Sequence, residues 1–350
     1  MTTTDLAADL DAEPAMERDR KAEPIEIALD AAMQGKRHHF DEWTFEHEAL
    51  PEIDAAQIDT SVEFLGRRLG APLLISCMTG GTELARTINR NLAAAAERCR
   101  VAVGVGSQRK ALEDPSQVPT FQVRDRAPSV PILANLGAVQ LNYGYGLSDC
   151  RQAVEMVDAD ALVLHLNVLQ EAIQPEGQTN FRDLLPKMGE VARRLEVPVI
   201  AKEVGSGISG ATARKLAEQG ITIIDTAGVG GTSWARIEGR RADDAGLGEI
   251  FADWGLPTPE SIRQVAAVGG LTVIGSGGLR SGLDAAKAIA LGADLTGMAY
   301  PFLEAATRSA DAVADKIERI VRELRITMLC VGARTIADLK TVQLVKRAQV

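Results

Sequence analysis

Short aliphatic runs recur along most of the chain, each followed by a glycine-rich or polar turn and then by apolar residues at helical spacing. Eight runs stand out: Pro72 to Cys77, Val101 to Val105, Val130 to Ala134, Ala161 to His165, Val197 to Lys202, Ile221 to Asp225, Leu271 to Gly275 and Asp294 to Met298. Between them the periodicity predicts helices over stretches such as Glu83 to Arg98, Asp149 to Val157, Phe181 to Leu195, Ser209 to Gln219, Pro259 to Val268 and Leu283 to Leu291. Strict strand-helix alternation argues for a parallel sheet, and eight units match a closed α/β barrel, the (β/α)8 TIM barrel, better than an open doubly wound sheet. Two features fall outside the repeat: the segment before the first run, and a long polar insertion after strand six, Gly230 to Leu256. Residues 1–19 mix alanine with Asp5, Asp9, Asp11, Glu13, Glu17 and Asp19 and read as an acidic tail. Residues 20–350 read as one barrel domain, N-terminal segment included.

In such a barrel the site forms where the strands end, so the residues just after each run matter most. Each stretch is rich in polar residues or glycine: Met78-Thr79-Gly80-Gly81, Ser107-Gln108-Arg109, Asn135-Leu136-Gly137, His165 to Asn167, Lys202-Glu203, Gly228 to Ser233, Ser276-Gly277-Gly278 and Ala299-Tyr300. The turns after strands seven and eight, Gly275 to Gly282 and Gly297 to Ala299, occupy the usual phosphate-binding place of the fold. Glycine there admits close backbone approach to phosphate oxygens, although tight turns also need glycine for positive φ alone. A literal dinucleotide fingerprint occurs at Gly205-Ser-Gly207-Ile-Ser-Gly210. It belongs to the fifth of eight similar units rather than to the start of a domain, which disfavours dinucleotide binding.

Composition narrows the chemistry. Aromatic residues are 4% and hydrophobic residues 46%, so an aliphatic core of buried parallel strands fits better than an all-β fold. Lys and Arg number 38 against 48 Asp and Glu, a net charge of −10, which argues against nucleic-acid and anionic-membrane partners and requires a local basic pocket for any anionic substrate. No apolar run approaches the roughly 18 residues of a membrane span. The four cysteines, Cys77, Cys99, Cys150 and Cys330, are far apart and form no C-x-x-C, which fits a reduced cytoplasm. Histidines are few, His38, His39, His47 and His165, with no zinc spacing. His165 ends its strand among Asn167, Gln170, Glu171, Gln174 and Glu176; a lone strand histidine is more often structural, and this polar company weakens that reading. Glu171 and Glu238 are candidate magnesium or acid-base carboxylates, or solvated surface acids. Lys202 is open between a Schiff base, a phosphate contact and an ion pair.

Taken in order, Met78-Thr-Gly-Gly81, Val105-Gly-Ser-Gln-Arg109, Asn135-Leu-Gly-Ala138, His165-Leu-Asn-Val-Leu-Gln-Glu171, Gln174-Pro-Glu-Gly177, Lys202-Glu-Val-Gly205, Gly230-Gly-Thr-Ser-Trp234, Ser276-Gly-Gly-Leu-Arg280 and Ala290-Leu-Gly-Ala293 resemble type 2 isopentenyl diphosphate isomerases from about Arg20 to the C-terminal helix. The resemblance implies interconversion of isopentenyl and dimethylallyl diphosphate with FMN, Mg²⁺ and NADPH as reductant, in a homo-tetramer or homo-octamer. It implies that reduced flavin delivers a proton near its N5 and stabilises the developing cation. It places FMN against Thr79, Ser107, Asn135, Lys202 and Thr232, with Gly277, Gly278, Arg280 and Ala299 around its phosphate. It places the diphosphate against Arg20, Lys21, Arg109, His165 and Asn167, Mg²⁺ on Glu171, and the migrating proton beside Gln170, also a substrate contact, and Glu238. Two positions depart from the family pattern: Pro24 replaces the histidine that usually closes Arg20-Lys-Ala-Glu, and Tyr300 replaces an arginine after Gly297-Met-Ala299. Two other readings compete. One is another FMN-dependent barrel oxidoreductase such as an α-hydroxy-acid oxidase, although the late histidine of those enzymes has no counterpart after His165. The other is a catalytically inactive phosphate-binding homologue.

Overall fold

The computed structural model describes residues 27–347. Arg20, Lys21, Pro24 and the acidic tail read at residues 1–19 lie outside them. All eight predicted runs form strands: β1 (Leu73–Ile75), β2 (Ala102–Gly104), β3 (Ile132–Gly137), β4 (Ala161–Leu166), β5 (Val199–Glu203), β6 (Ile223–Asp225), β7 (Thr272–Ser276) and β8 (Leu295–Met298). They pair in parallel in chain order, and β8 returns to β1, closing the barrel. The six predicted helices also form, at Glu83–Cys99, Leu147–Val157, Leu184–Arg194, Gly210–Glu218, Thr258–Ala266 and Gly282–Ala290.

Continuous aliphatic runs suit this architecture because a barrel strand is buried on both faces, and its period of two sends alternate residues to different cores. Leu74, Ala102, Leu133, Ala161, Val163, Ile200, Ile223, Ile274 and Leu295 fill the barrel interior. Their neighbours Leu73, Ile75, Val103, Ile132, Leu162, Leu164, Val199, Ile224 and Val273 pack outward against the helices. Two residues beyond the inner set, the same face carries Ser76, Asn135, His165, Lys202, Asp225 and Ser276. The alternation that builds the inner core therefore turns a polar layer toward the C-terminal mouth.

The segment before β1 supplies a plug that the periodicity did not reveal. Strands Val62–Phe64 and Arg67–Leu69 form an antiparallel ribbon whose Phe64 and Leu69 join the interior core. Arg67 fastens the ribbon at the N-terminal mouth by an ion pair of 2.7 Å to Asp160, the residue before β4. Trp43–Phe45 pairs with Leu344–Lys346, tying the two ends of the described chain together. After β8 three helices follow instead of one, Tyr300–Arg308, Ala310–Cys330 and Ile336–Thr341. Among the described residues no helix is long and apolar enough to cross a membrane. All four cysteines are free; Cys150 is buried and the other three are partly buried.

His38 locks the N-terminal segment onto the helix Gly282–Ala290. Its Nδ1 lies 3.1 Å from Asp41 and its Nε2 3.4 Å from Asp284, the latter an electrostatic contact rather than a well-formed hydrogen bond. The Asp284 carboxylate also caps its own helix, accepting from the Arg280 and Ser281 amides at 3.0 and 3.1 Å. Asp284 and then Asp41 raise the His38 pKa against the opposing cost of burial. The folded state thus favours protonated His38, so this contribution is complete at acidic pH and is lost as pH rises through the raised value. The melting temperature should fall as pH rises above about 6.5, and His38→Asn should remove that fall; calorimetry across the range checks both.

Candidate active site

The strand ends open into one cavity of about 500 Å³ at the C-terminal mouth. Thr79, Ser107, Arg109, His165, Asn167, Gln170, Glu171, Lys202, Thr232, Glu238, Gly277, Gly278, Arg280 and Ala299 all line it. Of the described candidates, Asn135 alone stays off the wall. It sits one layer below, its Oδ1 2.8 Å from His165 Nδ1 and its Nδ2 donating to the Val105 carbonyl at 3.2 Å.

The turn after β7 is built for close backbone approach. Gly277 and Gly278 have φ of 109° and 77°, and a Cβ on Gly278 would lie 2.3 Å from the backbone carbon of Gly230. Two helices of nine residues, Gly282–Ala290 and Tyr300–Arg308, begin just after the turns of β7 and β8 and point their N-termini to this end of the barrel. With Arg280 exposed on the rim, and Arg109 and Lys202 also on the wall, this is a local basic site in an acidic protein. A phosphate monoester fits it: amide donors, glycines no larger residue could replace, and a guanidinium.

The dinucleotide-like glycines after β5 are already committed. Glu203 Oε2 accepts from the amides of Val204 and Gly205 at 2.7 Å each, from Ser206, and from Gly207 at 3.3 Å. The turn wraps the chain's own carboxylate where a dinucleotide fold would hold pyrophosphate. Burial nevertheless leaves Glu203 with a raised pKa, because desolvation outweighs these amides and Lys202.

The floor of the cavity is set by the inward face of the strands. Asp225 is buried, hydrogen-bonded to Ser276 Oγ, and its pKa is raised by burial against the pull of Lys202. Lys202 Nζ donates to the Glu203 carbonyl at 2.6 Å. Burial, together with the positive charges of Lys202 and Arg109, pushes the His165 pKa down to about 3, so its imidazole is neutral at physiological pH. Since Asn135 presents its oxygen to Nδ1, the proton of that neutral ring sits on Nδ1.

The wall on the other side of His165 is a hydrogen-bonded chain. Asn167 Nδ2 donates to Glu171 Oε1 at 2.8 Å and to Gln170 Oε1 at 3.3 Å. Gln170 Nε2 in turn donates to Glu238 Oε1 at 2.9 Å. Glu171 is 5% exposed and receives two further donors, Gln174 Nε2 at 2.7 Å and the Gln178 amide at 2.6 Å. Beside it, Asn167 Oδ1 is buried without a partner among the described residues. One carboxylate with an open acceptor next to it suits a magnesium ion that takes its other ligands from phosphate oxygens and water.

The insertion after β6 delivers Glu238. It forms the helices Trp234–Arg241 and Ala245–Ile250, the first packed on the short helix Val168–Ile173 that bears Gln170 and Glu171. A strap at Met33–Gly35 holds it: Ser233 N donates to Met33 O at 2.8 Å, Gly35 N to Gly231 O at 2.7 Å, and Gln34 Nε2 to Thr232 Oγ1 at 3.0 Å. Gln34 and Arg241, both on the cavity wall, were not among the sequence candidates. Nothing in their local sequence marks them, since each reaches the site by packing of separate segments.

The barrel and its phosphate turn define an FMN-dependent class, and the family model described as FMN-dependent dehydrogenase matches residues 27–126 and 165–346. Solved structures share the fold: a mandelate oxidase carrying an FMN monooxide adduct (TM-score 0.63, 19% identity, covering 93% of this chain and 92% of that one) and a flavocytochrome b2 with pyruvate bound (TM-score 0.67, 17%, 92% and 82%). Sequence similarity is far higher to two isopentenyl-diphosphate delta-isomerases. That of a Nostoc species is 51% identical over 332 residues, 93% of this chain and 95% of that one. That of Rickettsia bellii is 50% identical over 330 residues, 93% and 96%. The chain belongs to the isopentenyl-diphosphate delta-isomerase family.

Gly278→Ala should weaken FMN binding at least tenfold, since the new methyl has no room at the turn and the left-handed backbone adds about 1–2 kcal/mol of strain. Gly220→Ala is the control, because Gly220 also has positive φ, 86°, but nothing stands within 4 Å of its Cβ position. It should bind flavin as the parent does. Quenching of flavin fluorescence on titration measures both.

Proposed function

We propose that the protein interconverts isopentenyl and dimethylallyl diphosphate, with FMN kept reduced by NADPH and with Mg²⁺. The observation that carries this reading is the Gln170–Glu238 hydrogen bond of 2.9 Å on the wall of the cavity that also holds the phosphate turn. The names borne by relatives at about half identity support it. Bound reduced FMN would supply an electron-rich ring able to carry a proton beside the alkene and to stabilise developing positive charge.

The reaction adds one proton to the terminal alkene carbon and removes one from the neighbouring methylene, without net redox change. Gly277, Gly278, Arg280 and Ala299 would hold the FMN phosphate, and Thr79, Ser107, Lys202 and Thr232 would lie along the rest of the cofactor, with Asn135 acting from beneath through His165. Arg109, His165 and Asn167 would receive the diphosphate, together with Arg20 and Lys21, and Glu171 would hold Mg²⁺, which would neutralise phosphate charge. A neutral Nδ1–H imidazole offers an acceptor at Nε2, so His165 suits a protonated phosphate oxygen or a metal-bound water. Gln170, with its amide nitrogen on Glu238 and its oxygen on Asn167, can orient but not titrate. Glu238 is the ionisable group of the pair and the one able to take a proton. The absence of any C-x-x-C fits a cytoplasmic location, and a homo-tetramer or homo-octamer is the assembly this reading expects.

Purified protein should convert isopentenyl diphosphate anaerobically only when FMN, Mg²⁺ and NADPH are all present. Gln170→Ala should lower turnover by at least about a hundredfold while flavin binding persists. Product analysis by NMR checks both; FMN binding without allylic product would remove the isomerase reading and leave an FMN barrel of another activity.

A further inference from the structure

Arg241 lies three residues beyond Glu238, on the last turn of the same helix, and is the cation closest to that carboxylate. Its Nη1 donates to Glu238 Oε2 at 2.5 Å and its Nη2 to Glu176 Oε1 at 3.1 Å. Glu238 is 1% exposed and so receives one donor on each oxygen, Gln170 on Oε1 and Arg241 on Oε2. Both donors bind the ionised form more strongly than the acid, which has one lone pair fewer and no charge to attract the guanidinium. The two donors therefore favour the carboxylate, while burial favours the acid.

We propose that Arg241 is a positioning residue that holds Glu238 ionised and thereby fixes the orientation of the Gln170 amide at the reacting carbons. This rests on the isomerase reading of Gln170 and Glu238. A primary amide can flip, presenting oxygen or nitrogen. With Glu238 as a carboxylate, only the Gln170 NH₂ can face it, and the Gln170 oxygen is then left to Asn167. A protonated Glu238 could donate to the amide oxygen instead, inverting Gln170 and withdrawing the Asn167 contact. One guanidinium thus controls both the base and the amide.

The surrounding charges leave this role to Arg241. Glu171, on the helix that carries Gln170, is engaged with Asn167, Gln174 and the Gln178 amide. Glu249, on the helix packed behind, is paired with Arg236 at 2.8 Å and with Lys36. Asp30, from the N-terminal segment, pairs with Arg240 at 3.1 Å, and Asp244 caps the helix Ala245–Ile250 through the Leu247 amide at 3.0 Å. Glu176 adds a second negative charge, which opposes ionisation of Glu238. Burial pushes the Glu238 pKa upward, and Gln170 and Arg241 oppose it.

Removing the cation, Arg241→Gln, should leave flavin content unchanged and lower kcat at least tenfold near neutral pH. The acid limb of kcat/KM should move up by about one unit or more, with rates approaching the parent's at alkaline pH. Arg241→Lys, which keeps the charge, should leave the limb near its parental place. Glu176→Gln, which removes the opposing charge, should move it down. Independently of turnover, infrared spectra should show a protonated-carboxyl band at neutral pH in Arg241→Gln that is missing from the parent and from the Arg241→Gln, Glu238→Gln double variant. An unmoved limb and no such band would overturn the proposal. A parent without allylic product would defeat the isomerase reading, while the infrared comparison would still decide whether Arg241 ionises Glu238.

Discussion

Closure of eight short strands into a parallel ring is the constraint from which the rest follows. Once β8 hydrogen-bonds to β1, no strand has a free edge and each is buried on both faces, so the side-chain period of two sorts every strand into an inner and an outer core. The ribbon with Phe64 and Leu69 stoppers one end of the inner core. At the other end the same inward face runs out of aliphatic residues and becomes Ser76, Asn135, His165, Lys202, Asp225 and Ser276. Their backbones are held by the ladder, so the polar layer is as rigid as the barrel itself.

That rigidity matters because cations and carboxylates line the same cavity. Positive potential comes from two helix N-termini, Arg280, Arg109 and Lys202, suited to phosphate groups in a protein of net charge −10. The short helix after β4 and the insertion after β6 add a run of amides ending in carboxylates at Glu171 and Glu238. His165 is kept neutral by burial and by its cationic neighbours. The Glu203 carboxyl group is instead wrapped in the amides of its own turn.

The strand positions, six of the crossover helices and the ring of strand-end residues were legible because each is a local pattern: aliphatic runs, helical spacing, glycine at turns. The departures share a cause. The plug at Val62–Leu69 was invisible because two strands of three residues carry too few positions to show a period. Asn135 follows its strand in sequence exactly as its neighbours do, yet it lies beneath His165 because β3 runs on to Gly137 and its side chain falls in a lower layer. The Gly205 to Gly210 motif matched a phosphate-binding spacing, but the anion inside the turn is Glu203. Spacing specifies that amides converge; it does not specify on what.

By itself the sequence determined the closed alternation, the polar mouth and the glycine turn for phosphate, since these depend on residues close together in the chain and on periods that only one architecture satisfies. The tertiary structure alone decided which groups act as pairs. Gln170 meets Glu238 across 68 positions, Gln34 meets Thr232 across 198, and Arg241 divides its guanidinium between Glu238 and Glu176. Protonation states follow from those meetings, because the pKa of a buried group is set by desolvation and by the charges packed against it, and neither is a property of the residue's place in the chain.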